Sequence, residues 1–364
     1  MKTLRLNVDA GRLHSEDSQA ALAQAVQILL SGGLVALPTE TVYGLGANAL
    51  DAAAVARIFE AKKRPSWDPV IAHISSLDML DGLVAEVPES ARKLMEAFWP
   101  GPLTLLLPRT QAVPDAVTAG RPLVGVRMPA HPVALALIRQ AGVPVAAPSA
   151  NTFGHISPTT AAHVLEDLDG RIDAVLDAGP TVHGVESTVL DPCQSPMVIY
   201  RPGAVTAEQI RQVAGAVEIY RSDAPLLDAT TDESPAAALP SPGVGLRHYA
   251  PRAKLVLLDC EADSEMDMDS GLPELARRIA EAIEARPLED VGLLVPDELG
   301  ASFPAHRVFF LGRWGAREEM ARELYAGLRA LDAAGCTTIL CPLPPAHGIG
   351  AAIRDRLRKA ARTE

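Results

Sequence analysis

The stretch LPTETVYGLGA, residues 37–47, decides how the rest of the chain is read. It follows LVAL (34–37), which reads as a buried strand. It precedes AAAVARIFEAKK, a helix-like segment that Asp51 can cap. A strand, a loop and a helix in that order point to an α/β chain. Yet two threonines, a glutamate, a tyrosine and two glycines are more chemistry than a connection needs. GLGANA (44–49) formally matches the dinucleotide fingerprint G-x-G-x-x-A, but PTETVY separates the strand from the first glycine, where that motif allows almost nothing. About twenty residues further on, where an acid belongs, stands Arg64. Gly44 and Gly46 therefore suit a tight strand-to-helix turn or a backbone that approaches a ligand.

Outward from this loop the pattern repeats. SQAALAQAVQILLS (18–31) has helical spacing and stops at Gly32-Gly33. Further strands are expected at 70–74, 103–108, 123–128, 143–148, 187–191 and 197–203, with helices at 88–98, 132–141, 158–167 and 206–214. Residues 221–250 are rich in Pro, Ala, Ser and Asp, lack periodicity and read as a linker. A second α/β unit follows. KLVLLD, VGLLVP, RVFFLG and TTILCPL alternate with helices at 272–285, 315–334 and about 349–360, which implies a parallel, Rossmann-like sheet. The acidic stretch 259–269 reads as a solvated loop.

At 364 residues the chain has room for two domains. Aromatics make up only 4%, so the cores must be built from Ala, Val, Leu and Ile. A net charge of −12 opposes tight binding of long nucleic acid over the whole surface, though it leaves room for a basic nucleotide pocket. The N-terminus is too polar for a cleavable signal and no apolar run spans a bilayer, so a cytoplasmic protein with no membrane partner is expected. Cys193, Cys260, Cys336 and Cys341 lack metal-like pairing and read as reduced, mostly buried thiols.

Several other segments carry chemistry. KKRPSWDPVIAHI (62–74) sets three cations before a proline turn; they suit a solvated helix end, where the dipole favours them, or a phosphate. APSANTFGHISPTT (147–160) leaves a strand with Ser149, Asn151 and Ser157 before a helix start, which suits either a helix cap or an anion. VGVRMP places Arg127 at a strand end, and VHGVESTVLD and VIYRPG add Ser187 and Arg201.

Taken in order and spacing, PTETVYGLG, Lys62–Arg64 (K-x-R), Ser149–Asn151 (S-x-N), ESTV and YRPG closely resemble the threonylcarbamoyl-AMP synthase family. The resemblance implies a YrdC-like catalytic domain over 15–215, a twisted mixed sheet with helices. A linker or flap over 216–252 and a smaller Rossmann-like parallel α/β domain over 253–361 would follow. It implies synthesis of L-threonylcarbamoyladenylate and pyrophosphate from L-threonine, bicarbonate or CO2, and ATP. The product would pass to a downstream tRNA threonylcarbamoyl transferase. By similarity, Thr41, His73, Arg127, the backbone at Ala147 and Ser187 contact threonine. Arg64, Asp68, Leu123, Ser149, Asn151, Ser157 and Arg201 address ATP, with Lys62 and Arg64 the catalytic cations. Arg247, His248 and Tyr249 belong to the flap. Mg2+ is expected on the triphosphate, with no protein metal ligands and no organic cofactor. Asp68 and Leu123 depart from the family pattern, which favours asparagine and threonine there. His73 on a strand also fits a satisfied core histidine. The competing readings are an RNA-binding, translation-associated module, a YrdC-type carbamoyl transferase and, on the glycines alone, a dehydrogenase. The charge and the lack of an aromatic–basic stripe disfavour the first, and no cysteine array supports the second.

Overall fold

The computed structural model describes residues 2–220, 239, 241, 248–259, 271–286, 290–300, 302–303 and 306–362. These fall into two units: Met1–Phe153, Ser157–Val182 and Glu186–Gly245, and then Gly154–Ile156, His183–Val185 and Leu246–Glu364. Residues 221–238, Cys260, most of the acidic stretch and Arg247 lie outside the described residues.

The first unit holds one mixed sheet. Its strands are β1 (Leu4–Asn7), β2 (Val35–Pro38), β3 (Tyr43–Asn48), β4 (Ile71–His73), β5 (Leu103–Pro108), β6 (Leu123–Arg127), β7 (Val145–Ala146), β8 (Ala174–Asp177), β9 (Thr188–Asp191), β10 (Met197–Arg201) and β11 (Val217–Ile219). They lie in the order β1-β8-β2-β3-β7-β4-β6-β5-β9-β10-β11. Parallel pairs such as β4–β6 and β5–β9 alternate with antiparallel ones such as β2–β3 and β5–β6.

The opening stretch is not a strand–loop–helix unit. Thr39–Val42 is a tight turn, closed by Thr39 N–H on the Val42 carbonyl at 3.3 Å, and YGLGAN returns as β3, antiparallel to β2. Side chains alternate across a strand. Tyr43, Leu45 and Ala47 therefore enter one core, while Gly44 and Gly46 face the other side. There a Cβ on Gly46 would lie 2.8 Å from Leu37 Cδ2 and 2.9 Å from Val145 Cγ1. The glycines permit close packing within a sheet and form neither a turn nor a phosphate loop.

The helix Ala52–Lys62 starts as expected, with Asp51 accepting the Ala53 and Ala54 N–H groups, and ends at Lys63 in the left-handed region. Its buried face, Val55, Ile58 and Ala61, joins the main core with Ala72, Leu105, Val124, Val126 and Leu190. These last residues occupy one face of the central strands. Their neighbours in sequence therefore point to the opposite face, where the site lies.

The second unit has β12 (Lys254–Leu258), β13 (Val291–Val295), β14 (Arg307–Phe310) and β15 (Thr338–Pro342). All pairs are parallel, in the order β12-β15-β13-β14. The helices Leu272–Glu284, Arg317–Ala333 and Gly350–Ala360 stand where periodicity predicts them. Tyr249 is buried here despite a φ of 65°. Its ring stacks on Tyr325 at 5.7 Å, and the Arg356 guanidinium lies 5.3 Å above it. His248 is buried beside it. Cys336 and Cys341 are buried free thiols and Cys193 is an exposed one. Among the described residues no helix is long and apolar enough to cross a membrane.

Candidate active site

The central strands align the site by register. His73 on β4 pairs with Arg127 on β6, Thr104 on β5 with Val189 on β9, and Val189 with Arg201 on β10. Leu105 pairs with Val126, which sets Thr104 beside Arg127. One row across the sheet therefore carries His73, Arg127, Thr104 and Arg201, with Ser187 just before β9. Val189 in this row forms a small apolar cluster with Ile71 and Leu106, each two residues along its strand from His73 and Thr104, and Leu123 and Tyr200 pack beside it. Leu123 thus shares the face of Arg127, at the other end of β6.

Arg127 is held from three directions. Its Nε donates to the Gly101 carbonyl at 3.1 Å and Nη1 to Thr41 Oγ1 at 3.0 Å, while Nη2 lies 2.6 Å from Glu40 Oε1. Thr41 Oγ1 also meets Thr39 Oγ1 at 2.8 Å. The β2–β3 turn is therefore built around this guanidinium. Burial alone would raise the Glu40 carboxyl, but the charge and hydrogen bond of Arg127 outweigh it and hold the group below the usual carboxylate range. His73 is 3% exposed. Burial first, and then the Arg127 charge, push it down to about 3, so its imidazole is neutral near pH 7. It is both a buried strand histidine and a member of the row.

Ser187 Oγ accepts from Arg201 Nη2 at 3.0 Å and meets Thr104 Oγ1 at 2.8 Å, while Arg201 Nε donates to the Ser187 carbonyl. Gly203 lets these strands touch, since a Cβ there would fall 2.3 Å from the Thr188 nitrogen. Ser157 donates to buried Glu186 Oε1 at 2.6 Å.

The APSAN segment lies against β3. Gly44 bridges Ser149, Leu45 N–H donates to the Pro148 carbonyl, and Ala150 N–H to the Tyr43 carbonyl. Ala147 N–H donates to the Ile71 carbonyl. Lys62 braces the loop from its other side, with Nζ donating at 2.5 Å to both the Ser149 and the Asn151 carbonyls. Burial, then the charge of Arg64, hold its ammonium well below the ordinary lysine value. Asn151 turns its amide to the Thr152 carbonyl.

Arg64 Nε and Nη2 donate to the Asp68 and Pro69 carbonyls, and Nη2 lies 2.9 Å from Asp68 Oδ2. Asp68 is fully buried. Burial raises its pKa and the charges of Arg64, Lys62 and Arg201 pull the other way, with burial the larger effect. The carboxyl thus feels three basic side chains, with Arg64 in direct contact. Beside it, Arg64 lies over the Phe153 ring, which Trp67 meets edge-on, and Leu239 N–H donates to the Trp67 carbonyl.

His73, Arg127 and Arg201 share one row, with Thr41 in contact with Arg127 and Ser187 with Arg201; Lys62, Ser149 and Asn151 form a second group and Arg64 and Asp68 a third, all within the first unit. His248 and Tyr249 belong to the second unit, and Arg247 lies outside the described residues. Sequence reading passed over Glu40, Thr104 and Glu186. Thr104 had a signal, as the lone hydroxyl in the apolar strand LTLLLP. Glu40 and Glu186 stood inside motifs already noticed, with nothing local to say what they face.

A YrdC-like mixed sheet bearing a hydroxyl- and cation-rich face, followed by a smaller parallel α/β unit, is the class that fold and site define. A family model described as telomere recombination matches residues 27–203, and one described as threonylcarbamoyl-AMP synthase, C-terminal domain, matches residues 205–362. The chain is 43% identical over 337 residues to the threonylcarbamoyl-AMP synthase of Pyrococcus abyssi, covering 93% of each. It is 44% identical over 363 residues to that of Bacillus subtilis, covering 99% of this chain and 98% of the relative. The crystal structure of P. abyssi Sua5 complexed with L-threonine superposes with a TM-score of 0.84 at 41% identity, over 99% of this chain and 98% of that one. The chain belongs to the threonylcarbamoyl-AMP synthase family.

Proposed function

We propose that this protein is an L-threonylcarbamoyladenylate synthase, a nucleotidyltransferase that joins L-threonine, CO2 drawn from bicarbonate, and ATP, and releases pyrophosphate. The product serves N6-threonylcarbamoyladenosine modification of tRNA through a downstream transferase, in the cytoplasm. The observation that carries this reading is the row of His73, Arg127, Ser187 and Arg201 next to the Lys62–Ser149–Asn151 brace.

The amine lone pair of threonine forms the N–C bond with CO2 and the nitrogen gives up a proton, leaving a carbamate. A carbamate oxygen then attacks the α-phosphorus as the bond to pyrophosphate breaks. No protein nucleophile is needed, so the protein's work is positioning and charge neutralisation. Arg127, with one hydrogen left on each terminal nitrogen, can take both oxygens of the threonine carboxylate. Thr41, Ser187 and the Ala147 backbone surround the rest. Arg64, Arg201 and the Ser149 and Ser157 hydroxyls face the phosphates, and Ile71, Leu106, Val189 and Leu123 offer an apolar surface for the base. Lys62 acts from beneath, by holding the Ser149–Asn151 backbone.

Mg2+ would come with the triphosphate and neutralise the leaving pyrophosphate. The donors here are hydroxyls and cations, which suit phosphate oxygens. The Asp68 carboxylate is engaged with Arg64 and that of Glu186 with Ser157, and among the described residues no group of three His, Cys, Asp or Glu is placed to hold a metal. The linker is the candidate cover that keeps water from the labile adenylate. In support, Leu239 bonds to Trp67 and Ser241 is fully buried.

The test is incubation with ATP, Mg2+, bicarbonate and L-threonine, with pyrophosphate followed over time. Release that requires all of them is expected. Release independent of threonine, or none, removes the proposal. Arg127→Ala should act chiefly through threonine and Arg64→Ala through ATP.

A further inference from the structure

Glu40 is the one charged side chain of the opening stretch to which the reaction assigns no task. It is 6% exposed, and its partner Arg127 is 3% exposed. Its backbone is held from outside the turn, since the Val182 N–H donates to its carbonyl at 3.2 Å. The contact that the carboxyl itself makes is the ion pair with Arg127, at 2.6 Å.

An arginine side chain rotates about four bonds before its guanidinium, and a bidentate contact requires one orientation of the plane. At Arg127 that orientation is set by the Gly101 carbonyl, Thr41 Oγ1 and Glu40 Oε1. Among these three groups only Glu40 is charged. Resting on the proposed function, we infer that Glu40 is a positioning residue that locks the Arg127 guanidinium with its remaining N–H pair aimed at the amino-acid carboxylate.

The inference has a definite sign. If Glu40 only competed for Arg127, removing its charge would free the arginine and tighten threonine binding. If it orients Arg127, removal loosens threonine binding.

In the full-length chain with ATP and bicarbonate saturating, Glu40→Gln should raise KM for threonine by roughly 10- to 100-fold, the range for losing a charge-assisted bond. The KM for ATP should stay within about twofold, because the ATP-side cations touch other residues. Glu40→Asp, which keeps the charge on a shorter stem, should recover part of the loss. A double-mutant cycle with Arg127→Lys should be non-additive. Threonine KM unchanged or lowered in Glu40→Gln, or equal rises for both substrates, overturns the inference.

An independent reading comes from nitrogen NMR of the Arg127 side chain in the substrate-free protein, where Glu40→Gln should speed guanidinium rotation. If the wild-type chain releases no threonine-dependent pyrophosphate, the functional proposal falls. Unchanged rotation in Glu40→Gln sinks the positioning role by itself.

Discussion

His73 gives the sharpest test of the site's electrostatics. Burial on β4 and the Arg127 charge take its pKa from 6.5 to about 3. The folded protein therefore refuses a proton that the unfolded chain accepts. The stability that depends on neutral His73 is complete above the unfolded value of 6.5 and is lost as pH falls toward about 3. The full shift is worth about 5 kcal/mol, and about 2 kcal/mol of it is withdrawn between about pH 7.5 and about pH 5. His73→Asn stays neutral throughout this range and lacks the term. Urea unfolding of the first unit's transition, for both proteins at both pH values, isolates it. Other titrating groups act alike in the two proteins and cancel in the difference. The wild-type advantage over His73→Asn should shrink by about 2 kcal/mol on acidification. A difference that stays constant with pH would refute the account of a desolvated imidazole beside a cation.

Three further outcomes follow from particular contacts. Lys62→Met keeps the apolar stem but strips the donor from two carbonyls, each costing about 1–3 kcal/mol when unpaired. The relief of a buried charge offsets part of this, so urea unfolding should show a net loss of about 2 kcal/mol, with ATP affinity reduced more than threonine affinity. Asp68→Asn removes the counter-ion of Arg64, Lys62 and Arg201 while leaving the backbone bonds of Arg64 intact, so KM for ATP should fall and KM for threonine hold; weaker ATP binding would contradict the counter-ion role. Gly203→Ala drives a Cβ to 2.3 Å from the Thr188 nitrogen, and thermal unfolding should show a loss of about 2 kcal/mol or more, because only backbone can give way.

Much of the architecture was legible because it is written locally. Helix caps, apolar periodicity and the alternation of strands with helices located most elements of both units within a residue or two, from Asp51 at its helix start to the parallel strands of the second unit. The failures were also local in origin. β1, β8 and β11 are segments of only three or four residues, and β3 was hidden by its glycines. Y-G-L-G-A-N does alternate, but a glycine facing a crowded neighbour looks the same in sequence as a glycine in a turn.

The amino-acid sequence by itself determined which chemistry is present: the cations, hydroxyls and carboxylates of recognisable motifs, and the element type that carries each. Only the tertiary structure decided what those groups face. Arg127 meets Thr41 across 86 positions and Lys62 meets the Ser149 carbonyl across 87, and no local period encodes such pairs. They follow from sheet order and register, which are settled when the whole core packs and each buried charge must find a partner.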